Sequence, residues 1–249
     1  MPDTIATTLI LIFAGFWAGA QNALAGGGPL VSIAALMMTG MDARTANLTS
    51  TVALFPGQIT IGWAARDTLQ KARFIRNSTL AINIVGGAAG AALLLLTPSD
   101  AFLTMVPWLV LFATIIYAVS GLIRPDHLAE AQLSPAFFLI FQAVLSIYGG
   151  YFGGGNSFMM LALLIASGLA ARLAGKIKNL LIALINAAAV FVFLISGAVS
   201  AASAIPLAVG GIFGSIAGAW LLNRIDERAL KVVVVAIGLA FSVWLFVRS

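Results

Sequence analysis

Cysteine is absent from the 249-residue chain, and histidine occurs once. The missing thiols exclude disulfides, thiolate metal sites and thiol catalysis, and leave the redox compartment open. Charge is scarce as well. Only 8% of residues are charged, against about one quarter in a soluble domain. The eight acidic residues are Asp3, Asp42, Asp67, Asp100, Asp126, Glu130, Asp226 and Glu227, and all fall in polar gaps or at their edges. No apolar run carries a carboxylate at its centre. Proton relays and sodium sites inside membranes commonly use Asp, Glu or His, so their absence argues against a cation substrate and a carboxylate relay. It also leaves no interior base, nucleophile or metal ligand. An enzyme is therefore not expected, and no catalytic residue, metal or cofactor is assigned.

What the chain has in abundance is apolar sequence: 61% of residues are hydrophobic, and the mean hydropathy is +1.09. Long apolar runs with turn residues between them predict membrane-spanning helices, without the weak alternation of an outer-membrane barrel. The formal charge of +5 fits basic loops at a lipid bilayer and does not call for nucleic acid. Ten apolar segments are legible. The first five are Ile5–Leu24, Pro29–Thr39, Thr45–Ala65, Ile75–Leu96 and Phe102–Ile123. The second five are Pro135–Phe152, Ser157–Ser167, Lys176–Ser196, Ser203–Leu222 and Leu230–Val247. The second and seventh are too short to cross ~30 Å of hydrocarbon, which takes about 20 helical residues, and read as half-spans. The first run follows Asp3 with no Lys or Arg before it, and is expected to be a retained span rather than a signal peptide.

Glycine interrupts these runs in two matching places. Gln21-Asn22-Ala23-Leu24-Ala25-Gly26-Gly27-Gly28-Pro29 has a counterpart in Tyr148-Gly149-Gly150-Tyr151-Phe152-Gly153-Gly154-Gly155-Asn156. Each breaks an apolar run and opens a short segment, the pattern that marks a transporter's central site when it recurs in two halves. The triplets match at an offset of 127, and after one inserted residue the offset is 128. Gly40 then meets Gly168, Arg44 meets Arg172, Gln58 meets Asn186, Gly86 meets Gly214 and Gly90 meets Gly218. The predicted fold is an all-α, polytopic membrane bundle of two repeats, 1–124 and 135–249, joined by a polar linker, 125–134. The histidine, His127, lies in that linker and is given no chemistry.

Charge predicts how the halves face. Every Lys and Arg except Arg44 and Arg248 follows an odd-numbered segment. Basic loops face the cytoplasm, which puts both termini outside, in the periplasm. Matching loops also carry opposite bias. Basic Arg66–Arg76 corresponds to uncharged Gly197–Ala202, and nearly neutral Gly40–Arg44 to basic Arg172–Lys178. Inverted-topology repeats require that.

The third segment presents Asn47, Thr51 and Gln58, with Thr49 and Ser50 beside them. The eighth presents Gly175, Asn179 and Asn186 at the corresponding places. A spacing of i, i+4, i+11 keeps one helix face. Unsatisfied amides are costly in hydrocarbon, so these stripes are expected to face the protein interior. Asn83 and Gln142 lack matched partners and are read as structural. Helices that start after the glycine triplets would aim positive dipole ends inward, which suits an anion. Lys176 and Lys178 are read first as anchors at the cytoplasmic face.

The glycine breaks, the Ala46-Asn47-Leu48-Thr49-Ser50 start of the third segment and the five-plus-five organisation resemble the sulfite exporter TauE/SafE family over nearly the whole chain. The motifs that carry the resemblance are Gly26-Gly27-Gly28-Pro29, Gly40, Thr49-Ser50 and Gly153-Gly154-Gly155. The second half departs at the Thr-Ser position, where Ile177-Lys178 stands, so strict symmetry of the site is not implied. The resemblance implies transport of small sulfur-containing anions, such as sulfite, sulfoacetate and related sulfonates, across the bacterial inner membrane, often outward. The expectation is a secondary transporter working by alternating access, with a passive anion channel or a non-transporting assembly subunit as the alternatives. Gly26, Gly27, Gly28, Gly153, Gly154 and Gly155 are expected to offer backbone donors. Asn22, Thr49, Ser50, Thr51, Gln58, Asn156, Ser157, Asn179 and Asn186 are expected to offer side-chain contacts. The oligomeric state is not legible.

Overall fold

The computed structural model describes residues 4–24, 27–64, 77–120, 133–221 and 227–248. Among them the regular structure is helical, in ten elements. The first five are α1 (Thr4–Leu24), α2 (Gly28–Met38), α3 (Ala43–Ala64), α4 (Asn77–Leu96) and α5 (Ser99–Ser120). The second five are α6 (Pro135–Tyr151), α7 (Asn156–Ala166), α8 (Ala171–Ser196), α9 (Ala201–Leu221) and α10 (Glu227–Arg248). Five of the described helices, α1, α4, α5, α8 and α9, are long and apolar enough to cross a membrane. The chain is a multi-pass helical membrane protein, as its composition predicts. Gly26, the basic stretch Arg66–Arg76 and the linker up to residue 132, with His127, lie outside the described residues.

α2 and α7 have 11 residues each. At 1.5 Å per residue that is about 16 Å, half the hydrocarbon thickness. Left-handed glycines bound both. Gly27 (φ 87°) and Gly155 (φ 73°) stand immediately before them, and Gly40 (φ 93°) and Gly168 (φ 90°) follow their C-caps. Only glycine adopts this backbone without a steric penalty. The matched glycines thus set where each short helix starts and stops. One correction to the register follows. The capping glycines are Gly27 and Gly155, already 128 residues apart, so the inserted residue lies upstream of the cap, not downstream. Three identical residues in a row hide which of them takes the left-handed conformation.

A second correction concerns α8. It begins at Ala171, five residues before the predicted Lys176, so Arg172–Lys178 is helix and not loop. Lys and Arg are good helix formers, and a charged first turn is invisible to a hydropathy reading.

The halves interlock. α1 packs along α9, and α6 packs along α4; each pair joins the first helix of one half to the fourth of the other. α3 meets α9 as α8 meets α4, and α3 meets α8 at the centre. Small residues allow the close crossings. A Cβ at Gly214 would overlap the Phe16 carbonyl of α1, and one at Gly90 would overlap the Ile147 carbonyl of α6. The matched pairs Gly86/Gly214 and Gly90/Gly218 are therefore packing residues. A central apolar cluster draws Leu48, Phe102, Phe152 and Phe193 from both halves, and a second joins Phe138 of α6, Met160 of α7 and Leu181 of α8. Phe13, Leu96 and Phe213 remain more than 60% exposed on the outside, where lipid rather than water is their partner.

Candidate functional site

Both glycine breaks open onto one cavity of about 30 Å³. Asn22, Gly27 and Pro29 line it from the α1–α2 break, and Phe152, Gly153, Asn156 and Ser157 line it from the α6–α7 break. Thr51, Leu54 and Gln58 of α3 and Ile182 and Asn186 of α8 close it. Among the described residues the lining holds no charged side chain.

Each wall follows from local sequence. Neither Gly27 nor Gly155 has a side chain to cap its helix, so first-turn N–H groups need other partners. At α2 one is supplied: the Gly28 N–H donates to Asn22 Oδ1 (3.2 Å), and Pro29 has no N–H to satisfy. At α7 the arrangement is exchanged. The amide stands on the short helix as Asn156 and the glycine on the long one as Gly149, where a Cβ would collide with Asn156 Nδ2. Asn156 is 2% exposed, and its Oδ1 is buried with no hydrogen-bond partner.

At the centre Asn186 Nδ2 donates to Gln58 Oε1. This joins α3 to α8 and leaves the Gln58 –NH2 free to donate elsewhere. Thr51 Oγ1 donates to the Asn47 carbonyl (3.0 Å). Asn47 itself turns away, donating to the Tyr151 carbonyl (2.9 Å) at the end of α6. Two half-helix N-termini, each worth about half a positive elementary charge, thus meet a set of amides and hydroxyls. That is chemistry for an anion.

Of the residues expected at the site, the structure gathers Asn22, Gly27, Thr51, Gln58, Gly153, Asn156, Ser157 and Asn186 around the cavity. The other described ones are not part of its lining. Gly28 packs on the Ala18 carbonyl. Thr49 Oγ1 accepts from the Ser200 N–H (3.3 Å), and Ser50 pairs with Ser32 Oγ (2.6 Å). The Gly154 carbonyl accepts from Tyr148 OH (2.6 Å), and Gly155 serves as the α7 cap. Asn179 lies on α8 outside the lining, seven residues before Asn186, on the same helical face. Sequence reasoning missed the apolar members, Pro29, Leu54, Phe152 and Ile182. Leu54 and Ile182 are themselves 128 apart and continue the polar stripes at helical spacing, so the signal was there. Asn83 and Gln142 form a buried cluster between α4 and α6: Gln142 Nε2 donates to Asn83 Oδ1 (2.8 Å).

Interrupted helices that converge on a polar cavity inside a multi-pass bundle define a membrane transporter. The chain belongs to the sulfite exporter TauE/SafE family, whose family model matches residues 11–245. It is 26% identical over 243 residues to the Escherichia coli K12 protein named "Probable membrane transporter protein YfcA", covering 96% of this chain and 90% of that one. It is 24% identical over 237 residues to a Sinorhizobium protein, "Probable membrane transporter protein ORF9", covering 94% and 90%. A Haemophilus influenzae protein, "Probable membrane transporter protein", is 26% identical over 230 residues, covering 91% and 89%. No solved structure gives a significant match.

Proposed function

We propose that the chain is a secondary transporter of small sulfur-containing anions such as sulfite, sulfoacetate or related sulfonates. It exports them across the bacterial inner membrane by alternating access of two inverted halves, with both termini in the periplasm. The observation that carries this reading is the meeting of two half-helix N-termini at one cavity lined by Gln58, Asn186, Asn22 and Asn156 and, among the described residues, by no charge. The reciprocal packing of α1 on α9 and α6 on α4 supports the paired halves, and the opposite charge bias of the matching stretches, Arg66–Arg76 against Gly197–Ala202 and Gly40–Arg44 against Arg172–Lys178, supports their inversion. Export of an anion from a cell negative inside is downhill by about 2.3 kcal/mol per charge per 100 mV, so it needs no proton relay. The small volume of the cavity favours a carrier over an open channel.

Purified protein in proteoliposomes tests this. Sulfite or sulfoacetate uptake is expected to saturate, to show counterflow and to carry net negative charge. Electroneutral flux would remove the potential-driven mechanism, and absence of flux for every sulfur anion would remove the transport reading.

A further inference from the structure

We propose that Lys178 is the anion-selecting residue of the route by which the cavity is reached from the cytoplasmic side, and that the matched stretch of α3 closes the opposite side. The inference rests on the transport reading and the orientation given above, and it adds a residue outside the cavity.

Steps of three or four residues keep one side of a helix, so Gly175, Lys178, Ile182 and Asn186 follow one another along α8. Ile182 and Asn186 line the cavity. Lys178 stands one turn before Ile182, about 6 Å along the helix axis. Gly175, Lys178 and Ile182 are all partly exposed, and a Cβ at Gly175 would meet nothing within 4 Å. This face is unsealed from the start of α8 to the cavity wall.

The matched face of α3 is sealed. Asn47, Ser50 and Leu54 correspond to Gly175, Lys178 and Ile182 at an offset of 128, and they are 1%, 0% and 3% exposed. Hydrogen bonds hold the stretch shut: Asn47 donates to the Tyr151 carbonyl, Thr49 accepts from the Ser200 N–H, and Ser50 pairs with Ser32. Two halves built on one plan therefore end differently. One end is tied to α2, α6 and the turn before α9, and the other holds a cation.

A cation inside a membrane-spanning helix is costly unless it is paired. Lys178 is half-buried and has no hydrogen bond or ion pair with any described residue. Lys176, two positions earlier, is exposed and points round the helix, as a residue anchored at the membrane surface does. Lys178 instead shares the face that leads to the cavity. An ammonium placed there raises the local concentration of anions and repels cations. The starts of α2 and α7 then hold what Lys178 admits.

Flux of sulfite and sulfoacetate into proteoliposomes, well below saturation and per folded molecule, is compared in the native protein and in Lys178→Gln, Lys178→Glu and Lys178→Arg. Lys178→Gln is expected to lower flux about fivefold or more, Lys178→Glu to lower it further, and Lys178→Arg to stay within about twofold of native. A second arm uses the absence of cysteine from the chain. Lys178→Cys is treated with membrane-impermeant sulfonatoethyl methanethiosulfonate in inside-out and right-side-out membrane vesicles. Labelling is expected in the inside-out vesicles alone; should the cysteine variant not fold, the charge series decides. Native flux in Lys178→Gln, or equal loss in Lys178→Gln and Lys178→Arg, overturns the proposal, as does a thiol labelled from the periplasmic face or from neither. Absence of flux in the native protein for every sulfur anion removes the transport reading itself, and this proposal with it.

Discussion

Gln58 and Asn186 stand 128 residues apart, the same spacing as the helix-capping glycines Gly27 and Gly155, and hydrogen-bond to each other. Among symmetry-related units, a residue touches its own counterpart where the units meet about their common axis. The remaining contacts are reciprocal, α1 with α9 and α6 with α4, as in an isologous interface. The cavity therefore lies between α3 and α8, and under the proposed alternating access this is where a rocking motion of one half against the other would change access most directly.

The central amide pair gives the first prediction. Gln58→Leu and Asn186→Leu are each expected to lower flux on the order of tenfold or more by removing a positioned group. The protein is expected to remain folded in detergent. The pair's coupling in a double-mutant cycle on stability should be about 0.6 kcal/mol, as for other polar contacts between membrane helices. A flux as high as native in both variants contradicts the assignment.

Gly149 is predicted to be a positioning residue. Its missing Cβ leaves space for Asn156 Nδ2, so Gly149→Ala should push Asn156 from the cavity wall. The expected result is a flux loss on the order of tenfold or more. Gly175→Ala is the matched control: a Cβ there meets nothing within 4 Å, and alanine is the better helix former by about 1 kcal/mol. It should keep native flux and equal or better stability in a thermal unfolding scan.

The left-handed caps separate strain from function. Gly155→Ala and Gly168→Ala both place a side chain at positive φ, at a cost of about 1–2 kcal/mol each. Gly168 has open space around it, whereas a Cβ at Gly155 presses on Ala113. Both variants should be less stable. Only Gly155→Ala should also lose flux per folded molecule, because Gly155 sets the start of α7 at the cavity.

Much of this was legible because membrane helices are written in few letters. Long apolar runs fixed the ten segments, and the paired Gly40 and Gly168 proved to share one backbone conformation. Thr51 and Gln58 reached the cavity because residues seven apart keep a helix face, while Asn47, at the start of the same stripe, donates to the Tyr151 carbonyl instead. Thr49 and Ser50 did not, since neighbours one and two positions from a stripe residue point round the helix to Ser200 and Ser32. The start of α8 was hidden because Arg172 and Lys176 look like loop to hydropathy. Least legible was the exchange of Asn22/Gly28 for Gly149/Asn156: the contact recurs in both halves, but its two residue types trade helices, and pattern matching compares like with like.

A structure of the protein with a sulfonate bound tests the central claim most directly. The account predicts the sulfonate group between the starts of α2 and α7, within hydrogen-bonding distance of Gln58 or Asn156. A sulfonate held elsewhere in the bundle, or a cation in that cavity, would contradict it.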